Sequence, residues 1–184
     1  MKLLSIFISF LFFNFIFSTE EHQPEKQTSS KTLSSEIVSS YTISKPDYTI
    51  YLDIVKSPTQ DVTLVITMKL YKDSYFISAK VPKKEASGRF NLDLGSYKDV
   101  EFKGELLEFP GSIEAGNYSY PERDMHKWRR KNTTYKQELN IKTNEDFKVF
   151  GRLQFTIEPR CTFEENPFGL EYKNGKFKFF EQGC

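Results

Sequence analysis

The sequence predicts an all-β domain, an antiparallel sandwich of about eight or nine short strands preceded by an export signal and a polar tether. Three observations carry this. Apolar residues alternate with polar ones at period two in several short runs. Those runs are rich in β-branched and aromatic residues, the chain holding 18 Phe and 10 Tyr, and turn-forming Gly, Pro, Asn, Asp and Ser separate them. Beyond the N-terminal apolar run, no stretch repeats its apolar residues at helical spacing.

Residues 1–18 hold one cation, Lys2, followed by a nearly unbroken apolar run over 3–17. That is the charged and hydrophobic arrangement of a secretory signal peptide. The run is shorter than the roughly 20 residues a bilayer span needs, and Thr19, Glu20, Glu21 and His22 supply no positive stop-transfer cluster. Cleavage after Ser18 or Thr19 is expected, giving a secreted or periplasmic protein without stable membrane insertion. Residues 19–36 are mostly Ser, Thr, Glu, Gln and Lys, with Leu33 the one large apolar side chain, and read as a disordered tether. The sandwich domain is expected over residues 37–184.

Within that domain, residues 49–55 are strand-like. In 62–71, Val62, Leu64, Ile66, Met68 and Leu70 share one face, with Thr63, Thr67 and Lys69 opposite. Lys72, Asp73 and Ser74 turn the chain into a run over 75–81, and another run over 89–94 ends at Gly95. These four read as sequential antiparallel neighbours. Residues 100–109 form the next strand, with Gly104 marking a bulge. Residues 110–132 keep no period and read as a long, functional loop. Strands resume over 134–141 and 147–157, and two more, over 168–172 and 176–180, flank Asn174-Gly175, a hairpin signal. The succession of short strands without an amphipathic helix points to the immunoglobulin-like kind of sandwich.

Charge excludes some function classes. The chain has 26 basic and 25 acidic residues, and loss of Lys2 with the signal leaves it formally neutral, so no global pull toward nucleic acid is indicated. The two histidines, His22 and His126, and two widely separated cysteines give no zinc spacing, so no metal and no cofactor is expected. No P-loop, nucleophile elbow or dinucleotide fingerprint is present. Cys161 and Cys184 are an even pair that an oxidising compartment could join, and the spacing leaves both the bridge and two thiols open. The basic run Lys127, Trp128, Arg129, Arg130 and Lys131, with Tyr118 and Tyr120 nearby, reads either as a solvated loop tip or as a binding surface. Asn117 and Asn132 head N-glycosylation sequons.

Residues 71–180 resemble the N-terminal periplasmic domain of the disulfide-interchange reductase DsbD and its stand-alone relatives. The matching features are residues 72–78, the late strand from Gly151 through Phe155 into Cys161, and Pro167 shortly after. The resemblance implies an immunoglobulin-type sandwich on which two cysteines pass electrons from a membrane partner to periplasmic thiol proteins. Cys161 fits the first of those positions. The second falls within residues 162–167, where there is no cysteine, and one sulfur cannot close and reopen an intramolecular disulfide.

Three functions are therefore open. The first is an exported, non-catalytic domain for interaction with an unknown protein partner. The second is a thiol-disulfide exchange protein using Cys161, with Cys184 or a partner's thiol, in which Arg160 is the neighbouring cation available to stabilise a thiolate. The third is a secreted module for carbohydrate or another small ligand, built on Trp128, Tyr118 and Tyr120.

Overall fold

The structure, a computed structural model, describes residues 34–84, 88–109 and 129–181. The expected signal, most of the tether, Tyr118, Tyr120, Lys127, Trp128 and Cys184 lie outside the described residues. The strands, in chain order, are β1 (Glu36–Lys45), β2 (Tyr48–Lys56), β3 (Val62–Leu70), β4 (Phe76–Ile77), β5 (Asn91–Asp93), β6 (Val100–Phe109), β7 (Arg129–Arg130), β8 (Thr133–Ile141), β9 (Phe147–Ile157), β10 (Thr162–Lys173) and β11 (Lys176–Phe180). They form an antiparallel, immunoglobulin-like sandwich. One sheet has the order β1-β2-β3-β8-β6, the other β11-β10-β9-β5, and β4 pairs with β7 in a short ribbon.

Period two decides which side chains meet. In β2 and β3 the even-numbered residues Ile50, Leu52, Ile54, Leu64, Ile66 and Met68 are all fully buried. Facing them from the second sheet are Val149, Leu153, Phe155, Phe168 and Leu170, also fully buried. Aromatic rings fill the space between, with Phe90 stacked on Tyr135 at 4.0 Å and Phe76 tilted against Phe155 at 5.8 Å. Gly151 is required here because Phe168 lies over it, and a Cβ would come within 2.4 Å of that ring. The Asn174-Gly175 hairpin forms as its sequence predicts, with φ of 50° and 76°.

Four expectations need correction. The runs over 49–55, 62–71, 75–81 and 89–94 are not a sequential meander, because β3 pairs with β8 and β5 lies in the other sheet. The run over 75–81 shortens to the two residues of β4, since Val81 N–H turns back to the Ser78 carbonyl. Residues 36–45 form a strand, β1, where only the start of the domain was marked. β10 begins at Thr162 and passes through Pro167. That proline is tolerated because β11 pairs only with residues 169–173, leaving this half of β10 an edge.

The Gly104 bulge is present, with φ of 70°. Gly104, Glu105 and Leu106 of β6 face the single residue Gln137 of β8. Gln137 is buried and its side-chain amide donates to the carbonyls of Lys103 and Glu138 at 3.1 Å, satisfying acceptors that the broken ladder leaves open.

Candidate functional site

Cys161 sits in the tight turn between β9 and β10. Its φ of 52° is left-handed, and its side chain is exposed with a free thiol. The Sγ–H donates to a Glu158 carboxylate oxygen at 3.1 Å. That hydrogen bond, the Glu158 charge and desolvation, in that order, raise the thiol above its ordinary pKa. The neighbouring cation does not offset this. Arg160 spends its guanidinium on Asp47, at 3.2 Å, and on Glu164, at 2.5 Å. Beneath it the Tyr48 hydroxyl contacts Glu164 at 2.8 Å and Asn166 Oδ1 at 3.0 Å, and burial raises the Tyr48 pKa. The turn is thus a polar cluster in which carboxylates outnumber the Arg160 guanidinium, and the sulfur is held as a thiol.

The second group of sequence-singled residues lies close by. Phe109, the last residue of β6, and Arg129, the first of β7, flank residues 110–128. Glu108 and Arg130, one residue inside each end, form an ion pair with an Nε to Oε1 distance of 2.5 Å; their side chains are 1% and 6% exposed. The Ser78 hydroxyl lies 2.7 and 2.9 Å from the two Glu108 oxygens and donates to that carboxylate, while its own oxygen accepts the Lys80 N–H at 3.1 Å. Arg130 also donates to the Arg129 carbonyl at 3.0 Å. The Tyr135 hydroxyl is buried alongside, and burial, then the Glu108 charge, raise its pKa.

Arg130 is therefore not a surface cation, as the basic run suggested. The β7 alternation turns it inward and leaves Arg129 outward, where its guanidinium lies 4.4 Å from the centre of the Tyr75 ring. Tyr75 exchanges backbone hydrogen bonds with Glu158 at 3.0 and 2.9 Å. The base of residues 110–128 and the Cys161 turn thus meet at one end of the sandwich, joined through Tyr75. Asn132 is exposed, and its side-chain oxygen accepts the Leu70 N–H at 3.4 Å.

Glu108 and Ser78 were missed in the sequence. A signal existed for Glu108, which lies in even phase with Val100, Phe102 and Leu106 and so points inward. Gly104, which has no side chain, interrupts the apolar series in that phase. Among the described residues no group of three or more His, Cys, Asp or Glu side chains could hold a metal ion. No protein-family model matches the chain, and neither the curated proteins nor the solved structures yield a match.

Proposed function

We propose that this chain is an exported, non-catalytic sandwich that binds another protein through the end where the Cys161 turn meets the base of residues 110–128. The observation that carries the reading is the Glu108–Arg130 pair. A buried ion pair contributes little net stability compared with apolar residues of the same shape, so its better-attested use is to specify geometry. Here the geometry specified is the spacing of the two chain ends that carry residues 110–128. That segment and its flank supply Tyr118, Tyr120, Trp128 and Arg129, the residue types that concentrate binding energy at interfaces.

Thiol exchange draws no support from the same end. A carrier sulfur needs a stabilised thiolate, and Glu158 acts in the opposite sense. Under this reading the resemblance to the DsbD domain extends to the scaffold and stops short of its electron transfer.

The test is site-specific photo-cross-linking in the source cells, with the photoreactive residue at position 128 or, as a control, at Lys173, exposed at the end of β10 opposite the Cys161 turn. A discrete protein adduct from 128, retained in a Cys161→Ser background, supports the reading. Equal labelling from both positions, or an adduct that disappears with Cys161→Ser, overturns it.

A further inference from the structure

The outer face of the four-stranded sheet, used by none of the above, holds a concavity of about 260 Å³ lined in part by Asp93, Phe150, Arg152, Glu165 and Pro167. Strand register builds it. Asp93, Arg152 and Pro167 lie in one cross-strand row, and Asn91, Gln154 and Glu165 in the next. Odd residues of β10 and even residues of β9 point outward, so both rows face solvent together.

The polar groups are held in one arrangement. Arg152 donates through Nε and Nη2 to one Asp93 oxygen at 3.0 and 2.9 Å, while the Gly95 N–H donates to the other at 2.8 Å. Asn91 donates to Gln154 at 3.1 Å, and Gln154 donates to Glu165 at 2.6 Å. These bonds use two of the five N–H donors of Arg152 and one oxygen of Glu165, and both side chains line the concavity.

Beside them is an apolar platform. Phe150 is 42% exposed and is braced edge-on by Phe180, with ring centres 5.4 Å apart. Phe180 can lie down over β10 because Gly169 has no side chain, and a Cβ there would come within 2.5 Å of its ring. The Tyr97 hydroxyl accepts the Phe150 N–H at 2.9 Å, fixing the backbone beneath the ring.

We infer that this concavity binds a neutral saccharide, one sugar ring resting its C–H face on Phe150 while its hydroxyls engage Glu165, Arg152 and Asp93. The charges select the class. Two carboxylates stand against one guanidinium, which disfavours phosphates and other anions, while hydroxyl groups can both donate to the carboxylates and accept from Arg152. An exposed ring flanked by oriented polar groups on a rigid sheet lowers the ordering cost of binding. The inference goes beyond the proposed protein contact and stands without it, since it uses neither Cys161 nor residues 110–128.

The experiment titrates the mature protein, followed by two-dimensional amide NMR, with gluco-, xylo-, manno- and N-acetylgluco-oligosaccharides, and with inorganic phosphate and a linear polyamine as charged controls. The expected result is saturable shifts of residues 91–95, 150–154 and 165–167 with at least one neutral saccharide, weakened about tenfold or more in Phe150→Ala and severalfold in Glu165→Gln. Both side chains point outward, and melting curves report whether each variant is folded. The inference is overturned if no saccharide binds at about 10 mM, if the shifts map elsewhere, if only a charged control binds, or if the folded Glu165→Gln variant binds unchanged.

Discussion

Substituting Glu108 by Ala removes the carboxylate that Arg130 Nε meets at 2.5 Å, in a site where the Arg130 side chain is 6% exposed. Breaking one side of a buried ion pair costs about 3–5 kcal/mol, because the remaining charge keeps its desolvation penalty without its partner. The lower end applies here, since Arg130 retains the Arg129 carbonyl at 3.0 Å. Ser78 also loses its acceptor. About 3 kcal/mol is a large part of a typical domain stability of about 5–15 kcal/mol, and in a domain of this size it lowers the melting temperature by roughly 6–12 °C. Replacing both partners, Glu108→Leu with Arg130→Met, removes both charges and recovers most of the loss. Urea denaturation of the wild type, Glu108→Leu, Arg130→Met and the double variant gives the coupling directly, with Glu108→Ala measured alongside. The reasoning is refuted if Glu108→Ala costs less than about 1 kcal/mol, or if the double variant loses the sum of the singles.

Two further outcomes follow from the sheets. Asp93 has its pKa lowered by the Gly95 N–H and then by Arg152, so it stabilises the fold above the ordinary carboxylate value of about 3.9, and that contribution fades as pH falls through this value toward the lowered one. Asp93→Asn therefore reduces stability at pH 7 by less than about 1 kcal/mol, the pair being exposed, and the difference from wild type vanishes in acid; pH-dependent denaturant midpoints check both parts. Gly151→Ala forces its new methyl into the Phe168 ring, an overpacking that costs roughly 1–3 kcal/mol, read as a lowered thermal midpoint with the same sheet spectrum.

Much of the sandwich is legible because burial on one face leaves a period-two trace. Val62 to Leu70 shows it cleanly, and Asn174-Gly175 announces its own turn. Partnership is less legible, since alternation says which face of a strand is wet and says nothing about its neighbour. β3 therefore pairs with β8 across a long sequence interval that no local pattern marks. β1 escaped because Ser39, Ser40, Thr42 and Ser44 continue the polar texture of the tether, although Tyr41 and Ile43 alternate between them. At the site, Cys161 was visible as a sulfur, but its environment was not. Glu158 is only three residues away, and whether it or Arg160 faces the thiol depends on the turn. Arg129 and Arg130 looked alike in the sequence, and the parity of a two-residue strand separates them into one stacked and one buried cation.

The claim that this sandwich works without thiol chemistry is tested most directly at Cys161 itself, by alkylation of the folded protein across pH and equilibration with a thioredoxin redox buffer. The account predicts an alkylation midpoint above the usual thiol value of about 8.5, moving down in Glu158→Gln as the charge is removed, and no mixed disulfide at pH 7. Rapid alkylation at neutral pH, or reversible exchange through Cys161 near −200 mV, roughly the range of glutaredoxin-like carriers, would contradict it.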